Sequence, residues 1–132
     1  MIRRIVYASI PRPDLAVSEV PRIISKSRTN NERDGIGGVL VFTGGDFVQV
    51  IEGTPERVDA CWERIRSDPR HHSVEPFLDM PDEEPWFPEW RVGYLYDEDF
   101  TRRIASWRSR SGSMSPEELH EMRMLLAATD AY

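Results

Sequence analysis

Two neighbouring segments in the first half of the chain are apolar at almost every position, which restricts the folds open to the whole sequence. They are residues 39–42 and residues 47–51, separated by the turn residues 44–46. Short β-branched and aromatic runs bounded by turn residues predict buried strands, here the two arms of a hairpin. A strand with one wet face would alternate apolar and polar residues. The hairpin therefore needs covering elements on both of its faces.

The order of strand and helix patterns indicates how one face is covered. Two segments with helical spacing of apolar residues interrupt the strands, and each has a proline in its first turn, where the missing N–H is tolerated. The resulting order βαββαββ predicts an α+β ferredoxin-like sandwich, with a five-stranded mixed sheet and two helices on one face. The predicted strands are residues 2–9, 38–43, 47–51, 74–80 and 90–96, and the predicted helices run from Ser18 to Asn30 and Asn31 and from Thr54 to Asp68.

The last third of the chain predicts a cover for the other face. Phe100, Ile104 and Trp107 lie at helical spacing, and Ser115 followed by Glu118 gives the capping-box pattern of a further helix. We expect residues 1–99 to form the domain that contains the sheet, and residues 100–132 to form a helical cap packed on it. The apolar positions of the second cap helix are Leu119, Met122, Leu125 and Leu126.

Charge and cysteine content exclude some classes of function. The net charge is −6, and acidic side chains dominate residues 79–99, where Arg91 is the single basic residue. A surface of this charge repels a phosphate backbone, so we expect no direct nucleic-acid binding. One cysteine, Cys61, allows no internal disulfide and fits a reducing compartment. With no apolar run of signal-peptide or membrane-span length, we expect a cytoplasmic protein without a membrane partner.

The centre of the second hairpin strand contains one polar side chain, Gln49. A buried amide must find partners for two donors and a carbonyl acceptor. Hydrogen bonds to neighbouring backbone would satisfy it, and so would a flat polar ligand. The residues around it leave both explanations open.

Other candidate side chains also have ordinary explanations when each is taken alone. Tyr7 suits the core of the first strand, and two adjacent asparagines suit the end of a helix. Arg70 suits a solvated turn, while Ile23 and Ile65 lie at core-facing helix positions. A ligand site is indicated only if all of these positions meet in space.

The combination of five short segments resembles the BLUF domain, a family of blue-light sensors that hold FAD non-covalently. The resemblance extends over residues 2–96 with its spacing preserved, and the glutamine-bearing strand together with the Asp-Pro-Arg-His turn makes it specific. The segments are residues 5–9, Asn30 and Asn31 ahead of residues 35–38, and residues 47–53, 68–71 and 87–90.

The resemblance implies a light-driven switch made of Tyr7 and Gln49 on neighbouring central strands. The tyrosine would give an electron and a proton to the photoexcited flavin. The glutamine would then rearrange its hydrogen bonds and shift the flavin absorption slightly to the red. These residue types suit those roles, because a phenol is oxidisable and an amide can exchange donor for acceptor toward the same neighbours.

The resemblance also implies how the cofactor is held. Asn31, with Asn30 beside it, would bind a flavin carbonyl and the imide edge, and Arg70 would donate to the opposite carbonyl. Ile23 and Ile65 would lie on the two sides of the ring. FAD is the family's usual cofactor, although the sequence does not separate it from FMN.

Three residues depart from, or add to, the family pattern. Val92 stands where a methionine is common, and with Trp90 it forms the strand expected to relay the signal. Gly37 stands where a threonine is common. Trp86 is a further oxidisable ring, which we expect near the rim of the site as a competitor of Tyr7.

Output by a short protein of this family would pass through contacts with a downstream signalling partner, and exposed helix faces suggest a homo-oligomer. The same strand order also occurs in acylphosphatase-like hydrolases. Arg3, Arg4 and Arg12 lie near the first strand, but a glycine-rich anion loop is missing from the sequence. A flavin-free ferredoxin-like interaction module is the third interpretation.

Overall fold

The structure, a computed structural model, describes residues 1–14, 17–94, 98–110 and 114–128. Its strands are β1 (Ile2–Pro11), β2 (Gly37–Phe42), β3 (Phe47–Gly53), β4 (His71–Asp82) and β5 (Trp90–Tyr94). Its α-helices are α1 (Val20–Arg33), α2 (Pro55–Ser67), α3 (Glu98–Ser109) and α4 (Pro116–Ala127). A short 3-10 helix over Val17–Glu19 leads into α1.

All five strands form one sheet in the order β4-β1-β3-β2-β5. Neighbours are antiparallel except β2 and β5, which are parallel. The pairing registers place Tyr7 opposite Gln49, Gln49 opposite Leu40, and Leu40 opposite Val92. These four residues therefore form one row across the middle of the sheet. The predicted α+β fold with a five-stranded mixed sheet is confirmed.

The sheet separates two hydrophobic layers. The helix layer lies under α1 and α2 and includes Ile5 and Tyr7, whereas Val6 and Ala8 belong to the opposite layer. This alternation is the period of two expected for a strand that is buried on both faces. The second layer, here called the lid layer, is closed by residues of α3 and α4: Phe100, Ile104, Trp107, Met122 and Leu126. The expected helical cover on the second face is present, while the domain boundary at residue 99 stays a prediction.

Local capping explains where the helices begin. The Thr54 hydroxyl accepts a hydrogen bond from the Arg57 backbone N–H at 3.4 Å, and Pro55 occupies the first turn of α2. Ser115 and Glu118 form the reciprocal capping box of α4, each bond being 3.2 Å long. Both helix starts agree with the sequence prediction.

The predicted end of α1 at the two asparagines is wrong. The helix continues to Arg33, and the Asp34 N–H donates to the Asn30 carbonyl at 3.0 Å before Gly35 leaves the helix with a φ of 69°. Glycine is suited to that left-handed conformation because it has no Cβ. Strand β4 is also longer than predicted, and the predicted end of β5 at residue 96 lies outside the described residues. The two asparagines therefore lie inside the last turns of α1, facing other elements.

We expect a chain truncated after Asp99 to aggregate. The five α3 and α4 side chains of the lid layer are at most 4% exposed. Burial of each contributes about 1.5–3 kcal/mol, which is large beside a typical domain stability of about 5–15 kcal/mol. Light scattering and size-exclusion chromatography measure the effect, with a chain ending at Ala128 as the control. A truncated chain that stays free of aggregates and unfolds at the control's temperature would contradict the structural role of the lid.

Candidate functional site

A cavity of about 250 Å³ opens between α1, α2 and the helix-facing side of the sheet. All seven side chains proposed from the sequence for the cofactor line it: Tyr7, Ile23, Asn30, Asn31, Gln49, Ile65 and Arg70. They come from two strands, two helices and the turn before β4, so only the folded chain brings them together. Side chains not proposed from the sequence also line it, among them Lys26, Cys61, Arg64, Asp68 and His71.

The floor of the cavity is a hydrogen-bonded pair on the two central strands. The Tyr7 hydroxyl donates to Gln49 Oε1, and the two residues are 3% and 5% exposed. Burial raises the pKa of the Tyr7 phenol well above its ordinary value, because the charged form loses its hydration. The phenol therefore stays protonated and keeps Gln49 as its acceptor.

Trp62 of α2 contacts the tyrosine and is a side chain that the sequence placed only in the core. Its ring meets Tyr7 edge-on, with centroids 5.2 Å apart and an angle of 61° between the planes. A tryptophan at a core-facing helix position gives no sequence signal of such proximity. It is an oxidisable ring directly beside the tyrosine.

The prediction that Trp86 lies at the rim of the site is wrong. Trp86 packs against the lid layer, on the opposite face of the sheet, and the Arg4 guanidinium lies 4.1 Å from its ring centre. It lies in a proline-rich loop, where no helical or strand periodicity indicates which face a side chain takes. Trp62, not Trp86, is the tryptophan next to Tyr7.

One polar edge of the cavity is formed at the end of α1. Asn31 is 4% exposed, and its Oδ1 accepts a weak hydrogen bond from the Cys61 thiol at 3.7 Å. Burial raises the pKa of Cys61, so the thiol stays neutral and can donate. Asn30 is half-buried one position earlier and lines the same cavity. This edge presents amide groups to whatever fills the cavity.

Arg70 lies in the turn between α2 and β4 and forms another part of the cavity lining. Arg70 Nε donates to Asp68 Oδ1 at 2.9 Å, and its bonds hold the pKa of Asp68 below the ordinary value, although burial opposes this. His71 Nε2 lies 2.7 Å from the Ile65 carbonyl oxygen, which can only accept, so this nitrogen donates. Arg64, one turn after Cys61 on α2, lies on the Asn31 side of the cavity, where its Nη1 donates to Asp34 Oδ2 at 2.8 Å. It was missed from the sequence because exposed helical arginines are common.

Strand β5 lies near this site but does not line the cavity. Trp90 and Val92 are 7% and 1% exposed and belong to the helix layer. Val92 is separated from Gln49 by Leu40 in the cross-sheet row. Within the described part of the chain, Trp90 Nε1 is the buried side-chain nitrogen or oxygen without a hydrogen-bond partner. Neither residue lines the cavity, so the relay role expected from the sequence stays a prediction.

The geometry fits a flat heteroaromatic ring with polar edges. Two isoleucines supply apolar walls, and the amide and guanidinium groups of the lining can form hydrogen bonds with the polar edges of a ring. Among the described residues, no cluster of metal-ligating side chains occurs, and no helix is long and apolar enough to cross a membrane. Fold and cavity together define a ferredoxin-like domain with a cavity between its helices and its sheet, lined by a hydrogen-bonded Tyr–Gln pair.

The family of this domain follows from comparison with known proteins. Residues 2–93 match the family model for sensors of blue light using FAD, so the chain belongs to the BLUF family. The match favours the flavin-binding interpretation over an acylphosphatase-like hydrolase or a flavin-free module. FAD is the cofactor that this family uses.

Several relatives carry the same domain. The blue light- and temperature-regulated antirepressor BluF of Escherichia coli is 31% identical over 78 residues, which are 59% of this chain and 19% of BluF. The photoactivated adenylate cyclase subunit beta of Euglena gracilis is 34% identical over 67% of this chain and 10% of its own. The chain thus spans a small part of these curated relatives. The dark-state structure of the BLUF protein BlrB has a TM-score of 0.74 and 29% identity, with 96% of each chain covered.

Proposed function

We propose that this protein is a blue-light photoreceptor that binds FAD non-covalently in the cavity and switches through Tyr7 and Gln49. The observation that supports the proposal is the hydrogen bond from the buried Tyr7 hydroxyl to Gln49 at the cavity floor. When bound, the flavin supplies blue-light absorption and accepts an electron and a proton. Tyr7 is the donor of both in this proposal, since it is a buried, protonated phenol facing the cavity.

The cavity residues divide into holding and switching roles. Asn31 and Asn30 would bind one polar edge of the ring, Arg70 would donate to the carbonyl at the other edge, and Ile23 and Ile65 would pack on its two faces. Loss of the Tyr7 proton removes the donor that fixes the Gln49 amide. Gln49 then presents its amide in a new arrangement, since the same side chain contains donors and an acceptor. Tyr7 regains its electron and its proton, so the cycle leaves the redox state of the phenol unchanged.

An absorption spectrum before and after blue light tests the proposal. We expect purified protein to be yellow and to show a reversible red shift of the flavin bands under blue light. Protein that stays colourless after incubation with FAD, or a bound flavin whose spectrum does not respond to light, would refute it.

Asn31→Ala should weaken flavin binding more than Asn30→Ala does. Asn31 is 4% exposed, whereas Asn30 is half-buried. Loss of the Asn31 amide therefore leaves a polar group of the ring without a hydrogen-bond partner at the position that is better shielded from water. The expected cost is about 1–3 kcal/mol, or roughly one to two decades in Kd. Titration of flavin-free protein with FAD, followed by flavin fluorescence, measures both variants. Equal retention of flavin would show that the two roles are wrongly assigned.

The signal should leave through β5 and the lid and reach a downstream protein partner, with no substrate turnover by this chain. We further propose a homo-oligomer, since α3 and α4 present exposed faces that a second copy can pack on. In hydrogen exchange, light should change protection in β5, α3 and α4. Val92 is the position in this route where the family commonly has a methionine. A change confined to the residues around the cavity would mean that the output leaves elsewhere.

A further inference from the structure

A second concave surface adjoins the cavity at Arg64. This surface has a volume of about 450 Å³ and lies between the end of α1 and helix α2. We call it the arginine groove, after the three arginines among its lining residues: Arg33, Asp34, Glu56, Arg57, Ala60 and Arg64. Arg64 lines both the groove and the cavity, so the two spaces are neighbours.

The arginine groove is lined by three guanidinium groups and two carboxylates, those of Asp34 and Glu56, so its lining has an excess of positive charge. Asp34 accepts hydrogen bonds from Arg33 Nε at 2.8 Å and from Arg64 Nη1 at 2.8 Å. The bond from Arg33, and after it the bond from Arg64, lowers the pKa of Asp34 to about 2. One carboxylate therefore serves two guanidinium groups. The guanidinium of Arg57 lies over Gly35 and has no ion pair among the described residues. Each arginine has five N–H donors, so several remain for an anionic ligand.

The size of the cavity indicates which part of a ligand the groove would meet. About 250 Å³ is below the 300–1,000 Å³ typical of pockets that enclose a drug-sized ligand. A flavin dinucleotide is much larger than its ring system, so the ring can enter while the phosphate-bearing chain stays outside. Arg64 stands where the cavity meets the groove, and Arg57 and Arg33 lie beyond it.

We propose that the arginine groove binds the phosphate groups of the flavin cofactor, with Arg57 and Arg33 as direct contacts. The proposal rests on flavin binding in the cavity. Guanidinium groups form paired, charge-assisted hydrogen bonds with phosphate oxygens, which makes arginine well suited to this role. The groove would let the protein prefer phosphorylated flavins, FAD and FMN, over riboflavin, which has the same ring and no phosphate.

Dissociation constants of flavin-free protein for FAD, FMN and riboflavin, measured in the dark by flavin fluorescence, test the proposal. Arg57→Gln should weaken FAD binding about tenfold, which corresponds to roughly 1.4 kcal/mol, and should change riboflavin binding less than about twofold. Arg33→Gln should act in the same direction. Arg102→Gln makes the same charge change on α3, across the sheet, and should leave all three constants unchanged. Added salt should weaken FAD binding in the wild type and leave riboflavin binding nearly constant.

Other outcomes would overturn the groove. Equal wild-type affinities for FAD and riboflavin would show that the groove does not bind the phosphates. An Arg57→Gln variant whose affinity for riboflavin falls as much as its affinity for FAD would show the same. Lys26 lines the cavity but not the groove. A loss of FAD affinity in Lys26→Gln alone would place the phosphates beside Lys26, outside the groove. A protein that binds none of the three flavins would refute the proposed function itself, and the groove with it.

Discussion

Replacing Glu52 with alanine should lower the free energy of unfolding by about 3–5 kcal/mol, the usual cost of breaking a buried ion pair from one side. Arg4 and Glu52 are 0% and 2% exposed, and Arg4 Nε lies 2.7 Å from Glu52 Oε2. The same carboxylate accepts the backbone N–H groups of Trp86 at 2.8 Å and Phe87 at 2.7 Å. The substitution therefore leaves a buried guanidinium and two backbone donors without their acceptor.

The neighbours of Arg4 set the size of this effect. Its guanidinium also donates to Asp82 Oδ2 at 2.8 Å and to the Glu84 carbonyl at 2.9 Å, which keeps part of its charge compensated. The loss would still be a large fraction of a typical stability of about 5–15 kcal/mol. Urea unfolding of the wild type and the variant measures the difference.

Asp79→Ala is the matched control for the substitution of Glu52. Asp79 pairs with Arg3 at 2.8 Å, but its side chain is 47% exposed, so its removal should cost less than about 1 kcal/mol. Arg4→Met combined with Glu52→Leu should recover part of the loss, since a buried pair can be replaced by apolar side chains of similar volume. Equal losses from Glu52→Ala and Asp79→Ala would show that burial of the pair does not matter.

This ion pair also fixes the loop that leads into β5. Glu52 holds the loop through Trp86 and Phe87, and on another side the loop packs closely on Gly37. A Cβ at Gly37 would lie 2.8 Å from the Pro88 carbonyl oxygen, so the family's common threonine would require the loop to move. The Trp86 ring lies near both Arg4 and, at 5.9 Å, Arg123 of α4. The loop therefore connects the sheet to the lid.

The fold could be predicted because the sequence of β2 and β3 is apolar on both faces. That pattern requires two covers. Helices α1 and α2, which lie between strands in the sequence, cover one face, and α3 and α4, which follow the last strand, cover the other. The pairing of β5 with β2 could not be predicted in this way. The two strands are parallel and far apart in the sequence, and the local pattern of apolar residues does not indicate which strand β5 pairs with. The predicted end of α1 was wrong because of another long-range contact. Asparagine is common at helix ends, but the Asn31 side chain is buried against Cys61 of α2.

The candidate site came from the family resemblance more than from the residues themselves. Tyr7, Asn31 and Arg70 each have an ordinary structural explanation when taken alone. Only the fact that all three line one cavity favours a ligand site over those explanations. The Arg4–Glu52 pair was not predicted, because two charges 48 residues apart leave no local pattern. Trp62 was assigned to the core by its helical spacing, and its contact with Tyr7 depends on how α2 lies on the sheet.

Tyr7→Phe and Gln49→Leu should each abolish the light-induced red shift while flavin stays bound. Phenylalanine keeps the ring that packs on Trp62 but has no hydroxyl to donate to Gln49. Leucine keeps the approximate volume of glutamine but has neither donor nor acceptor. Both side chains lie at the cavity floor, whereas Asn31 and Arg70 at its edges are proposed to supply most of the polar contacts to the ring.

Stability has to be controlled in both variants. Gln49→Leu leaves the Tyr7 hydroxyl without its acceptor, at a cost of about 1–3 kcal/mol, so circular dichroism should first show that the fold is kept. Because burial raises the pKa of Tyr7, its donor form is present below that raised pKa and would be lost only as pH rises through it. The wild-type red shift should therefore persist at a pH near the ordinary tyrosine pKa of about 10, as long as the protein stays folded.

Trp62→Phe tests whether the tyrosine is the donor that matters. The substitution removes the indole and keeps an aromatic ring beside Tyr7, so the tyrosine–glutamine hydrogen bond remains available. We expect this variant to retain the red shift that Tyr7→Phe loses, because the shift depends on the proton of Tyr7 and on the amide that it fixes. Absorption spectra of the three variants with bound flavin, recorded before and after the same blue-light dose, make the comparison. If Trp62→Phe loses the red shift and Tyr7→Phe keeps it, the switching electron comes from the indole, and the role given to Tyr7 is wrong.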